Sequence, residues 1–209
     1  YYKKLFLPIV SDDAKNMKLS INYSKKNDTN KNKKITFLFF GLIRKYKGLD
    51  ILLKAINNID KKLLDSFKCL IVGESYEKIS NYKVILDKDV IKNVKWINRY
   101  IPDNEVSQYF LASDYVVLPY KTASQSAIIP MAYNYNKPVI VSDLKGLTEF
   151  VLNKKTGFIF PNLDYLKLSN ILTNIIISNE NNNMIQNIEK LKKNMSTQKF
   201  AQELAAFIS

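Results

Sequence analysis

"FFGLIRKYKGLDILLKAI", residues 39–56, holds the end of one apolar run, a turn bounded by glycines, and the start of a second apolar segment. Upstream the first run extends to "ITFLFF" (35–40), apolar without alternation, as in a strand covered on both faces. Downstream, "GLDILLKAINNI" (48–59) places its apolar residues at helical spacing. A buried strand leading through a tight turn into an amphipathic helix is half of a βαβ unit. The turn itself is unusual. Arg44, Lys45 and Lys47 lie between Gly41 and Gly48, where the positive end of the helix dipole already gathers. Two readings are open: an anion binds there, or the three cations are solvated turn residues.

The rest of the chain repeats the pattern. Strands are expected at "KCLIVG" (68–73), "NVKWIN" (93–98, more amphipathic), "DYVVLPY" (114–120), "KPVIVSD" (137–143) and "TGFIF" (156–160). Helices are expected at 102–113, where Pro102 and an acidic first turn suit an N-terminus, and at 124–136, with Pro130 in a kink or late turn. Further helices are expected over 163–178, 181–194 and 196–208. Short buried strands alternating with helices predict an α/β fold, a Rossmann-like parallel sheet flanked by helices. Right-handed crossovers then bring the loops after the strands to one edge, where ligands bind. Residues 1–34 read as a leading segment and polar loop, 35–195 as the folded domain, and 196–209 as a closing helix. The chain opens on Tyr1 rather than methionine, which points to a piece of a longer protein.

Composition narrows the chemistry. Of 209 residues 46% are hydrophobic, enough for a real core. With 32 basic and 19 acidic residues the net charge is +13, which favours phosphorylated ligands, polyanions or anionic membrane surfaces. There is no histidine, so histidine-based nucleophile systems and most zinc sites are excluded. The lone Cys69 falls inside a predicted buried strand and reads as core. Asp87 and Asp89 in "LDKDV" read as a solvated turn, because Lys88 and Lys92 compete with any metal. Neither G-x-x-x-x-G-K-[ST] nor G-x-G-x-x-G is present. No stretch reaches the ~20 apolar residues needed to span a bilayer.

Candidate site residues are therefore those that follow strands: Gly41, Arg44 and Lys47 after the first, Arg99 and Tyr100 after the third, "KTASQSA" after the fourth, and Asp143, Gly146 and Glu149 after the fifth. The small side chains from Thr122 to Ala127 let backbone come close to a ligand, and a helix start offers free N–H groups to phosphate.

"FFGLIRKYKGLDILLKAI", "VKWINRYIPDNEVSQYFLASDYVVLPY" and "ASQSAIIPMAYNYNKPVIVSDLKGLTEFVLNKKTGFIF", in this order, resemble the family-4 (group 1) glycosyltransferases over about residues 35–178. The resemblance implies the carboxyl-terminal, donor-binding domain of a GT-B fold, with retaining transfer from a nucleotide sugar built on UDP or GDP. It implies no metal and no cofactor. By the same resemblance, Gly41, Arg44, Lys47 and Ser126 hold the donor diphosphate, and Asn98, Arg99 and Tyr100 edge the base. Ala123, Ser124, Gln125, Ala127 and Ile128 form the loop around phosphate and sugar, and Glu149 closes the Gly-Leu-x-Glu segment. Two glutamates typical of the family are replaced here: ungapped alignment on "NKPVI" puts Ala123 and Met131 at those positions, Met131 on the ribose side. The implied partners are a nucleotide sugar and a missing amino-terminal acceptor domain, without which the isolated chain should be inactive. No nucleic-acid partner is expected. The implied setting is bacterial-type surface polysaccharide or glycolipid synthesis, in the cytoplasm or peripheral on the inner face of the membrane. The alternatives are a diverged, non-catalytic GT-B-like module and a basic nucleic-acid-binding domain.

Overall fold

The computed structural model describes residues 34–178 and 182–194. The expected leading segment up to residue 33 and the closing helix at 196–208 lie outside the described residues.

Each continuous apolar run forms a strand: β1 Ile35–Phe40, β2 Phe67–Val72, β3 Val94–Ile97, β4 Tyr115–Leu118, β5 Val139–Ser142 and β6 Gly157–Phe160. All five pairings are parallel, and the order across the sheet is β3-β2-β1-β4-β5-β6. The chain starts at the centre, builds outward to β3, then returns beside β1 and builds outward the other way. This is the doubly wound Rossmann-like order.

Successive side chains of a strand point to opposite faces, and the two faces build two core layers. Phe37, Phe39, Cys69 and Ile71 join a layer with α1 (Leu49–Asn57) and α6 (Tyr165–Ser178). Leu38, Phe40, Val72, Val116 and Leu118 join the other, with Phe110 of α3 (Asp103–Leu111) and Ile129 of α4 (Ile128–Asn134). Phe37 sits at the centre, with ring centroids 6.4 Å from Phe67 and 6.2 Å from Tyr115. Truncating such a ring costs roughly 3–5 kcal/mol. Cys69 is wholly buried, and burial pushes its thiol up to about 12, which fits the reading of a core side chain.

The last described helix, α7 (Asn182–Asn194), joins both layers, the first through Met184 and the second through Ile188. Its Lys192 donates to the Asn134 carbonyl at 3.0 Å and to Asn136 Oδ1 at 2.9 Å, so a cation satisfies the carboxyl-terminal end of α4.

Three points differ from the sequence expectation. The helix expected from residue 124 begins at Ile128, so Pro130 lies in the first turn, not in a kink or late turn. A first-turn N–H has no intrahelical partner, and proline loses nothing there. Two single-turn helices, α2 (Ser80–Lys83) and α5 (Lys145–Thr148), were not expected. Short 3-10 segments also form at Lys45–Lys47, Lys61–Ser66 and Ile91–Asn93.

Gly48 joins the first of these segments to α1 with φ 66°, and a Cβ there would lie 1.9 Å from the Pro119 carbonyl oxygen. Strain and clash both oppose a side chain. Gly48→Ala should therefore lower stability by at least about 2 kcal/mol, read as a lower urea midpoint at unchanged slope. An unchanged midpoint would refute the close approach.

Candidate functional site

The two halves of the sheet meet at β1 and β4. Their pairing covers only Phe37↔Tyr115 and Leu38↔Val116, whereas β1 stays in register with β2 through Phe40↔Val72. Beyond Leu38 the central pairing ends and the two loops leave in opposite directions. Such a reversal of strand order forms a crevice at the carboxyl ends of the strands. One lip is the turn from Gly41 to Gly48, and the other is the loop from Pro119 to Ala127.

Lys47 lies inside this crevice. A Cβ on Gly41 would lie 3.0 Å from Lys47 Nζ and 3.8 Å from Ile128 Cδ1, so the amine sits over the bare backbone of one lip and faces the other. Nζ lies 5.8 Å from the centroid of the Tyr120 ring. The residue is only 9% exposed, and none of the ion pairs among the described residues includes it. Burial, reinforced by the nearby Arg44 charge, pulls its pKa down to about 8. The reading of all three turn cations as solvated therefore fails for Lys47. Arg44 is exposed at the start of the 3-10 turn, and its guanidinium carbon lies 4.7 Å from the centroid of the Tyr76 ring. Lys45 is exposed.

The opposite lip is built for close approach. Tyr120 is buried, its hydroxyl hydrogen-bonds Ser126, and burial raises its pKa to about 12. Ser126 Oγ accepts from the Ile128 N–H at 3.2 Å. With that donor engaged and Pro130 carrying none, the first turn of α4 offers fewer free N–H groups than a helix start at 124 implies. Ser124, Gln125 and Ala127 are exposed on the loop. Ala123, Ile128 and Met131 are half-buried against the second core layer. Behind the loop, a Cβ on Gly146 would lie 2.1 Å from the Ser124 carbonyl oxygen, so α5 supports the loop through a residue without a side chain.

The remaining predicted residues line the same edge at its flanks. Asn98 Oδ1 accepts from the Ser75 N–H at 2.8 Å, joining the loops after β2 and β3. Arg99 pairs with Glu105, and its Nη1 donates to the Tyr100 carbonyl at 3.1 Å, so its charge is already engaged. Tyr100 is exposed, and Glu149 is exposed at the end of α5. The sequence reading did not single out Tyr76, Asp50 or Asn162. Asp50 meets Lys121 at 2.9 Å, and Asn162 Nδ2 donates to the Lys121 carbonyl at 3.0 Å. A separate cavity of about 320 Å³, lined by Lys54, Asn57, Asn58, Ile85 and Tyr165, lies away from the crevice. Its asparagines are already engaged by the Asp87 N–H and Ser169 Oγ.

The sequence matches the family described as glycosyl transferases group 1 over residues 21–191. The chain belongs to the group 1 glycosyl transferases. An uncharacterised glycosyltransferase of Methanocaldococcus jannaschii is 30% identical over 122 residues, 58% of this chain and 32% of the relative. An uncharacterised protein from the cps region of Klebsiella pneumoniae is 25% identical over 169 residues, 81% of this chain and 44% of the relative. The group 1 domain thus spans less than half the length of these curated relatives. Among solved structures, the carboxyl-terminal domain of a group 1 family protein from Francisella tularensis superposes with a TM-score of 0.65 at 20% identity, covering 77% of this chain and 85% of that one. An Anabaena protein solved in complex with UDP gives a TM-score of 0.69 at 18% identity, covering 84% of this chain and 49% of that one. These likenesses bear out the expected fold, that of the carboxyl-terminal half of a GT-B glycosyltransferase.

In this group 1 domain the burial of Lys47 has a measurable sign. Its folded pKa, about 8, lies below the ordinary lysine value of 10.5. Between those values the unfolded chain binds more protons, so this residue's contribution to stability rises with pH. Urea unfolding should show the wild type gaining on Lys47→Met as pH rises from 8 to 10, with the methionine variant the more stable at pH 7. A pH-independent difference would contradict the buried, unpaired amine.

Proposed function

We propose that the crevice binds the diphosphate of a nucleotide-sugar donor, and that the chain is the donor-binding half of a retaining, family-4 type glycosyltransferase. The observation that carries this reading is Lys47, a buried cation with no carboxylate partner among the described residues, held over Gly41 at the switch point. An unpaired buried ammonium is costly, and a bound anion removes the cost. The Anabaena relative in fold has also been solved with UDP-glucose, which supports a nucleotide sugar as the anion.

In this reading Lys47 and Arg44 share the diphosphate, Lys47 as a point charge and Arg44 as a planar fork leaving the Tyr76 ring. Gly41 and Ser126 border the phosphates. Ala123, Ser124, Gln125, Ala127 and Ile128 surround the phosphate and sugar, with Glu149 at the sugar's far side. Asn98, Arg99 and Tyr100 edge the base. The bond from the anomeric carbon to the diphosphate oxygen breaks, the acceptor's hydroxyl oxygen bonds to that carbon from the same face, and the leaving phosphate oxygen takes the hydroxyl proton. The protein has mainly to stabilise the developing phosphate charge and hold geometry. The two cations supply that charge without a metal.

The acceptor site belongs to the remainder of the longer protein, so the chain alone should transfer no sugar. The cps-region relative and a structural neighbour described as involved in lipopolysaccharide biosynthesis support a role in surface polysaccharide or glycolipid synthesis. A cytoplasmic setting, or the inner membrane face drawn by the +13 charge, suits that role. No helix among the described residues is long and apolar enough to cross a membrane. Ala123 and Met131, in place of two carboxylates, favour a second reading: a diverged domain that binds nucleotide without supporting transfer.

Thermal-shift screening with UDP, GDP and ADP should show stabilisation by at least one, since a ligand of the native state raises stability by mass action. Arg44→Ala should weaken that binding about 10- to 100-fold, the value of a charge-assisted hydrogen bond. Titration calorimetry finding unchanged affinity would remove Arg44 from the site. A short single-stranded oligonucleotide binding more tightly than any nucleoside diphosphate would favour a nucleic-acid module instead.

Met131 sets the ribose contact. A thioether cannot accept two hydroxyl hydrogen bonds as a carboxylate does. The chain should therefore discriminate weakly between UDP and 2′-deoxy-UDP. Met131→Glu should add a preference for ribose of ~1 kcal/mol. A lower melting temperature with no new preference would show that Met131 serves only the core.

A further inference from the structure

We propose that Lys121 is a positioning residue for the phosphate-binding turn: it grips the chain on both sides of Gly48 and so holds Lys47 in the crevice, with Arg44 on the same turn. The inference rests on the diphosphate reading of that crevice. Lys121 follows β4 on the opposite lip. Its backbone N–H donates to the Tyr46 carbonyl at 2.7 Å, two residues before Gly48. Its ammonium donates to Asp50 Oδ2 at 2.9 Å, two residues after Gly48. One residue thus spans the point where the chain passes from the 3-10 turn into α1.

That point needs a clamp. Gly48 sits in the left-handed region and has no side chain to limit its rotation. The turn's own hydrogen bonds are Lys47 N–H to Arg44 O at 2.9 Å and Gly48 N–H to Lys45 O at 3.2 Å. Against these work the mutual repulsion of Arg44, Lys45 and Lys47 and the desolvation of the Lys47 amine, both relieved if the turn swings into solvent. Lys121 opposes that swing from a fixed base. Its carbonyl accepts from Asn162 Nδ2 at 3.0 Å, and the Tyr120 carbonyl accepts from Ser142 Oγ at 2.6 Å. The end of β5, through Tyr120, and the loop after β6, through Lys121 itself, therefore anchor the residue that grips the cationic turn. The Lys121–Asp50 pair is about two-thirds shielded, at 35% and 28% side-chain exposure, so water competes less than at the open Lys61–Asp89 pair.

Lys121→Met, Lys121→Arg, Asp50→Asn, the Lys121→Met/Asp50→Asn double variant, and Lys61→Met as an unrelated ion-pair control test this on the 209-residue chain. Titration with UDP should show about a tenfold weakening for Lys121→Met and for Asp50→Asn. Lys121→Arg should recover most of that loss, the double variant should be no weaker than either single variant, and Lys61→Met should match the wild type. Hydrogen exchange at the Lys47 and Gly48 amides should quicken in Lys121→Met while the later turns of α1 keep their protection. If the wild type binds no UDP, the diphosphate reading fails, and the exchange arm alone decides whether Lys121 fixes the turn. Wild-type affinity and wild-type exchange in Lys121→Met would overturn the proposal. So would a loss of affinity matched by equal loosening throughout α1, which marks a purely structural ion pair.

Discussion

The contact between Gly48 and the Pro119 carbonyl governs the geometry of the binding edge. It brings the turn after β1 against the loop after β4 at the place where central strand pairing has ended. Without it the two lips of the crevice belong to separate halves of the sheet. With it, the buried amine of Lys47, the bare backbone of Gly41 and the Tyr120 ring form one surface. The same device recurs behind the opposite lip, where Gly146 admits the Ser124 carbonyl. Two absent side chains thus set how closely the loops after β1, β4 and β5 can gather.

The electrostatics of this edge oppose the stability of the empty domain. Lys47 is buried beside Arg44, and burial is the larger cause of its lowered pKa. Two cations further along the edge are matched: Lys121 by Asp50, and Arg99 by Glu105. Strain and uncompensated charge concentrate where function needs them. The net charge of +13 says only that anions are attracted to the molecule as a whole. The proposed diphosphate site assigns one such anion to Lys47.

Much of the architecture was legible because parallel strands covered on both faces read as unbroken apolar runs. "ITFLFF" and "KCLIVG" read as strands on that ground, whereas their pairing register, Ile35↔Phe67 to Phe40↔Val72, is seen only in the structure. Single-turn elements such as Ser80–Lys83 and Lys145–Thr148 are too short to carry a period, and they were missed. The small polar residues from Ser124 to Ala127 resemble a helix cap and so suggest an early start for α4, whereas the chain there is irregular and the helix begins only at Ile128. Sequence named Arg44 and Lys47 together but could not separate them. Their difference, Arg44 exposed against Tyr76 and Lys47 buried over Gly41, arises from tertiary packing. The pairing of Asp50 with Lys121, 71 residues apart, leaves no local trace at all.

Selective labelling of lysine side chains allows the Lys47 amine to be titrated by NMR with and without saturating UDP, with Lys47→Met fixing the assignment. The account predicts a pKa of about 8 in the free chain, rising to the ordinary lysine range near 10.4 or above when the diphosphate is bound. A Lys47 titration that UDP leaves in place would contradict it.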